Sequence, residues 1–288
     1  NTQIQEEINL LYDIFTREIA AQKVVESLLS TLPTYLNHVK ENNKVLVQDL
    51  ERLSQTYLLP ETDASHVRRI QADLSALETA ILDVIEDQSE PTQAYSVLEE
   101  QLEALQSQLK EIEDEQISVS QRLAQVEKDD INARQKANVY VNRLHTIKRY
   151  MEKRNLPGIP QSFLKIFFTA SHNTEELMSE LEQELVDVES VNRILEIATN
   201  DMEALEAETY NIVQYATLTE QLLQYSNRYR SFDERIQEAF NESLEIFEKE
   251  FDYHASFDKI SQALEVAEPG VTNRFVTSYE KTRETIRF

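Results

Sequence analysis

The chain has 288 residues but only 2 glycines, 6 prolines and no cysteine, where average usage would supply roughly 20 glycines and 14 prolines. That excludes a Rossmann turn, a P-loop, a hairpin-rich β-sandwich and any disulfide framework or thiolate chemistry. Its 28 Lys+Arg against 53 Asp+Glu leave a formal net charge of −25, a surface that repels nucleic-acid phosphates and anionic lipid alike.

The predicted elements follow one periodicity. Ile4, Ile8, Leu11 and Phe15 alternate at spacings of four and three. After polar interruptions at Glu18 and Gln22, the frame resumes with Val25, Leu29, Leu32, Leu36, Val39, Leu46, Leu50, Leu53 and Tyr57. A second run passes from Leu98 through Leu109, Val119, Leu123, Ala133, Tyr140 and Ile147 to Met151, broken only at Gln116 and Asp130. There Gln116 and Asp130 either specify register or a hydrated layer within the seam, or Ile117 and Ile131, one position along, take over the core as the face rotates, which is the reading we favour. A third run extends from Leu177 through Leu181, Leu185, Val188 and Leu195 to Ile212. Seams sustained this far are the pattern of long helices packed at shallow angles.

Prolines mark the stops, because proline lacks the amide proton and clashes with the preceding turn. Pro60, Pro91, Pro157 and Pro269 end helices, while Pro33 either follows a Ser30-Thr31 cap or kinks a continuous helix. The segment from Thr92 to Asn155 would reach roughly 96 Å as one helix. Leu59-Pro60 and Leu156-Pro157 are offset by 97 residues, with Leu50 falling on Ile147. The expected fold is therefore all-α: elongated tandem spectrin-like three-helix bundle repeats sharing long continuous helices. Its expected domains are a repeat over 1–110, a repeat over 111–210 sharing the 92–155 helix, and a C-terminal repeat or partial repeat over 211–288.

Reaction chemistry finds no footing in this pattern. The five histidines all lie more than 25 residues apart, so none pairs with another four positions along a helix, as a zinc-binding helix requires. Asp63 and His66 sit at an expected helix start, where an aspartate caps the helix or faces its dipole. We expect no catalytic residue, no metal and no cofactor. No run of about 18 apolar residues occurs, so nothing in the chain spans a bilayer. The absence of cysteine suits a reducing cytoplasm, and Asn1 in place of methionine is what a fragment preceded by a signal or anchor would show.

Three local features stand out. Arg143, His145, Lys148, Arg149, Lys153 and Arg154 form a basic cluster before Pro157, read either as complement to a helix dipole or as a docking patch. Leu156-Pro157-Gly158-Ile159-Pro160 fixes a rigid turn, followed by Phe163, Leu164, Ile166, Phe167 and Phe168, read as core filling by default and otherwise as an exposed anchor. Gln224-Tyr225-Ser226-Asn227-Arg228-Tyr229-Arg230 interleaves guanidinium forks with tyrosine rings. Arg and Tyr are enriched in protein–protein hot spots, although Tyr225 and Tyr229 also have the spacing of a packed helix face.

The Leu156-to-Pro160 turn with Phe167-Phe168, and the Gln224-to-Arg230 segment, resemble the bacterial septation ring formation regulator family, EzrA. The resemblance covers the whole chain and matches the C-terminal half of that family's cytoplasmic region. It implies a Gram-positive cell-division protein with one N-terminal transmembrane helix, absent from this chain, and spectrin-like repeats on the cytoplasmic side of the cell membrane. It implies binding to FtsZ and other division-complex proteins, restraint of ring assembly away from midcell, and enrichment at the septum. The family's Gln/Arg-rich patch would fall on Gln224, Asn227, Arg228 and Arg230, with Tyr229 between them. Two other readings of such a chain are a generic coiled-coil tether and a membrane-shaping helical crescent, the latter disfavoured by the charge of −25.

Overall fold

The computed structural model describes residues 2–86 and 94–282. Eight α-helices and one π-helical turn make up the regular structure there, and no strand occurs among the described residues. Pro91 and Thr92, expected to end one helix and begin the next, lie outside the described residues.

The first helix, α1 (Thr2–Leu53), continues through Pro33 as one element, so no new helix is capped at Ser30-Thr31. Proline denies an amide to the carbonyl one turn back, but Leu32, Leu36 and Val39 are buried on either side and hold the helix together. The buried frame is Ala21, Val25, Leu28, Leu32, Leu36 and Val39. Ala21, beside Gln22, thus carries the seam through the polar interruption, and Leu28 replaces the expected Leu29. Toward the start of α1 the seam lies exposed among the described residues: Ile4, Ile8, Leu11 and Phe15 are all more than half exposed.

Helix α2 (Glu61–Glu86) returns antiparallel to α1, with Lys40 Nζ 2.5 Å from Glu78 Oε1. Helix α3 (Tyr95–Glu152) then runs parallel to α1: Ser96 pairs with Glu18, Tyr35 with Glu113, and Arg52 with Glu127. Asp63 is not a cap. It is buried in the first turn of α2 and takes Arg122 Nε at 3.0 Å.

The two breaks in the α3 frame are corrected by the structure. Gln116 and Asp130 are themselves buried, at 4% and 6% exposure, while Ile117 and Ile131 are exposed at 49% and 55%. One residue along a helix turns a side chain by about 100°, so Ile117 leaves the face that Gln116 keeps. Gln116 Nε2 donates to Val39 O at 3.1 Å, and Asp130 accepts from Arg134 Nε at 3.0 Å. Asn43 Oδ1 and Gln116 Oε1 remain buried without a hydrogen-bond partner.

Helix α4 (Gln161–Leu181) and helix α5 (Val188–Ser226) complete a second trio with the later part of α3. Asn173 reaches Asp201 and Ser162 reaches Glu208, so these two helices are antiparallel. Tyr140–Thr199 and Arg143–Glu206 set α3 and α5 parallel. The expected continuous seam from Leu177 to Ile212 is therefore broken between Leu181 and Val188, and Leu185 is 45% exposed. No proline or glycine marks the break. The backbone of Val186 instead pairs with that of Thr56 and Leu58, each at 2.9 Å.

Compactness divides the chain into two units, one through Asp129 with Glu184–Val188, the other from Asp130 to Gln183 and from Glu189 onward. In the second unit α5 leads to α6 (Glu234–Glu245), the π-helical turn Ile246–Glu250, α7 (Tyr253–Ala267) and α8 (Val271–Thr282). Leu218, Leu222, Ile236, Phe257, Ile260 and Leu264 form one core cluster where the end of α5 meets α6 and α7. Helices α6 and α7 approach closely where Ser243 and Ser256 exchange hydroxyl-to-carbonyl bonds of 2.8 and 2.7 Å.

Candidate functional site

The Gln224-to-Arg230 segment straddles a helix end. Gln224, Tyr225 and Ser226 close α5, and Asn227–Phe232 form the turn that leads to α6. Asp233 starts α6 as its N-cap, accepting from Arg235 N at 3.0 Å. An aspartate there satisfies an otherwise orphaned amide. Gln224, Asn227 and Arg228 are exposed, while Tyr229 and Arg230 are half-buried. Phe232 stands 80% exposed at the end of the turn.

Both arginines lie on rings. Arg228 Cζ is 4.7 Å from the Tyr225 ring centroid, and Arg230 Cζ is 4.7 Å from that of Phe240. A guanidinium over a ring face is held by the ring quadrupole while its N–H edges stay available. Neither arginine forms an ion pair with a carboxylate among the described residues.

The Tyr225 ring under Arg228, and Tyr229 beside it, are tied down by Glu268, a residue no sequence motif singled out. Its Oε2 accepts from both the Tyr225 and Tyr229 hydroxyls at 2.6 Å, and its other oxygen is taken by Arg274. Tyr225 also meets Phe275 of α8 edge-on at 5.3 Å. Hydrogen bonds from Tyr225 and Tyr229, with Arg274 added, hold the Glu268 carboxyl down to about 2. The Tyr229 phenol is pushed up to about 12, chiefly by the carboxylate it donates to. Glu268 stands just before the Pro269-Gly270 stop, and that position next to a helix break was its only signal in the sequence. Three residues earlier, Glu265 accepts from the backbone N–H groups of Gly270 and Thr272, at the start of α8.

The basic cluster before Pro157 is built differently. Arg143 is drawn into the bundle, its Nη1 2.8 Å from Glu206 Oε1. Arg154 folds back over the Tyr150 ring at 4.7 Å and donates to its hydroxyl. Lys148, Arg149 and Lys153 are exposed on the last turns of α3 and just beyond it.

The Leu156–Pro160 turn is a packing device. Asn155 enters it at φ 48°. A Cβ on Gly158 would come within 2.5 Å of the Phe251 ring. The Gly158 carbonyl accepts from the Tyr253 hydroxyl at 2.7 Å, and burial pushes that phenol up. Phe251 reaches this position because the π-helical turn ends there in a left-handed residue, φ 59°. Pro160 directly precedes α4 as its N-cap residue. Phe163 is buried, as core filling requires, whereas Phe168 is 66% exposed. A cleft of about 420 Å³ beside the turn is lined by Pro160, Glu208, Tyr215, Asp252 and His254 among others.

Among the described residues, no cluster of three His, Cys, Asp or Glu side chains is placed to hold a metal ion. No helix there is long and apolar enough to cross a membrane.

Comparison with known proteins gives one consistent match. The family model described as septation ring formation regulator, EzrA, matches residues 1–279. Proteins named septation ring formation regulator EzrA from Streptococcus pneumoniae strains Hungary19A-6 and D39 are each 83% identical over 288 residues, covering 100% of this chain and 50% of the relative. The protein of the same name from serotype 19F strain G54 aligns equally. The chain therefore spans about half the length of the curated relatives it matches. No solved structure matches it.

Proposed function

Because the chain belongs to the EzrA family of septation ring formation regulators, we propose that it is a non-enzymatic scaffold segment of a membrane-anchored division regulator, and that it contacts FtsZ through the Gln224–Arg230 turn. In this reading the segment lies on the cytoplasmic side of the cell membrane and concentrates at the septum. The anchor belongs to a part of the protein outside this chain. FtsZ assembly is restrained away from midcell by binding alone. A protein that prefers one assembly state over another shifts the equilibrium by its differential affinity and needs no cofactor.

The observation that carries this reading is the pair of ring-stacked guanidinium groups of Arg228 and Arg230, fixed on Tyr225 and Phe240 without a carboxylate partner among the described residues. Preorganised Arg and aromatic side chains are the usual energetic centre of a protein interface. Gln224 and Asn227 flank them with exposed amides.

The test is co-sedimentation of the chain with FtsZ and GTP, comparing wild type with Arg228→Ala/Arg230→Ala at matched helicity. The expected result is binding, or a reduced polymer yield, by the wild type and loss of that effect in the variant. Equal behaviour of the two proteins would remove the turn from the contact. Absence of any interaction by the wild type would remove FtsZ binding from this half of the regulator.

A further inference from the structure

We propose that the Asn227–Phe232 turn is a docking site for an acidic peptide segment, whose carboxylates pair with Arg228 and Arg230 while an apolar side chain covers Phe232. The inference rests on that turn being a contact surface and adds the chemistry of what it receives.

The local charge runs against that of the chain. Residues 224–232 contain Arg228 and Arg230 and no acid, and α8 contributes Arg274 and Lys281 against Glu280. The whole chain carries −25, so cationic surface is scarce, the exposed Lys148, Arg149 and Lys153 being the other cluster. At physiological salt, exposed charges more than about 8 Å apart are largely screened, which leaves the local cations to decide. Tyr225 touches Phe275 at 5.3 Å, so α8 and its Arg274 lie beside the turn.

Internal carboxylates do not neutralise the two arginines. Glu268 is occupied by two phenols and Arg274, and Asp233 by Arg235. Stacking fixes the planes of both guanidinium groups and leaves their N–H edges for planar, bidentate pairing with carboxylate. The 80% exposed Phe232 ring adds an apolar contact point at the end of the turn, which a segment made only of charge would not use. Glu268 acts here as a positioning residue, since it fixes the Tyr225 and Tyr229 rings and through Tyr225 the platform under Arg228.

The probe is a fluorescein-labelled oligoglutamate peptide followed by anisotropy, with the oligoglutamine analogue as the uncharged control and phosphatidylglycerol vesicles as the alternative anion. We expect saturable oligoglutamate binding that falls about tenfold or more in Arg228→Gln/Arg230→Gln and is retained in Lys148→Gln/Lys153→Gln. Glu268→Gln is expected to weaken it less and to lower the tyrosine ionisation midpoint read by ultraviolet absorbance. Failure of the wild type to bind, equal losses in the two cation variants, or turn-dependent binding to vesicles in place of peptide would each overturn the proposal. The same variants tested with FtsZ separate the two readings. An FtsZ interaction lost in Arg228→Gln/Arg230→Gln without any oligoglutamate binding overturns the acidic segment and leaves the FtsZ contact standing.

Discussion

The two basic clusters of this chain are supported differently: Arg154 of the α3 cluster lies over the Tyr150 ring, but its neighbours Lys148, Arg149 and Lys153 stand exposed, whereas both arginines of the later turn lie on rings. Lys148, Arg149 and Lys153 stand on the last turns of α3 and just past its end, exposed to solvent, where cations near a helix C-terminus offset the partial charge of its free carbonyls. Arg228 and Arg230 sit past the end of α5 on two aromatic rings, and the ring under Arg228 is held by Glu268 through its phenol. A flexible cation loses side-chain entropy when a partner binds it, whereas a stacked guanidinium has already lost much of that freedom. Composition alone therefore does not set how far a cation is preorganised. The difference lies in what each charge rests on.

The largest expected effect tests that difference directly. Arg228→Ala/Arg230→Ala should weaken FtsZ co-sedimentation by about tenfold or more, while Lys148→Ala/Arg149→Ala/Lys153→Ala should change it by about twofold or less. The opposite ranking would make the α3 cluster the docking surface and the stacked turn a structural feature.

Next in size is Gly158→Ala in the turn that follows the α3 cluster. The added methyl meets the Phe251 ring, and overpacking of this kind costs about 1–3 kcal/mol. Urea unfolding should show a lower midpoint with the basic residues untouched. An unchanged midpoint would mean that Phe251 gives way freely and that the turn is not packed as described.

A smaller effect is expected for Arg143→Ala, the one member of the α3 cluster engaged with a neighbouring helix. Its half-buried ion pair with Glu206 should contribute about 1 kcal/mol, read by the same unfolding curves. Lys148→Ala should leave them in place.

The smallest effect, and the most specific, concerns the brace under the other cluster. The Glu268 carboxyl is held at about 2, below the 4.5 of an unperturbed glutamate. Its contribution to stability is therefore complete above about pH 4.5 and drains away as pH falls toward 2. The Tyr229 phenol is raised from 10 to about 12, so its contribution is complete below pH 10 and is lost between 10 and 12. Glu268→Gln should flatten both limbs and move one tyrosine toward ordinary ionisation in an absorbance titration. An unshifted titration would detach Glu268 from the tyrosines.

Much of this was legible in the residues themselves. The four–three spacing of Leu102, Leu109, Val119 and Ile147 predicted a long helix, and all four are buried in α3. Pro60 and Pro157 marked the breaks between helices but not their ends: α1 stops at Leu53, leaving Tyr57 outside the helix and bridged to Val186, and α3 stops at Glu152, while Pro60 directly precedes α2. The turn of arginines and tyrosines was visible as a motif. Its brace was not, because Glu268 lies 39 residues beyond Tyr229 and nothing local ties a glutamate to a phenol at that distance. The end of α4 at Leu181 was equally silent. Glu-Gln-Glu-Leu-Val is locally competent to stay helical, and the chain leaves the helix where Val186 finds Thr56 and Leu58.

What the sequence determined by itself was the class of structure and the sign of its surface. Scarce glycine, sustained heptads and a charge of −25 act through propensity, periodicity and long-range electrostatics, each of which sums over many residues. What only the tertiary structure decided were the single-residue choices. Gln116 stays inside while Ile117 goes out, because a helix fixes its buried face collectively and one apolar residue cannot rotate it. Glu268 braces the arginine turn through Tyr225 and Tyr229, because only folding brings α7's end beside α5's.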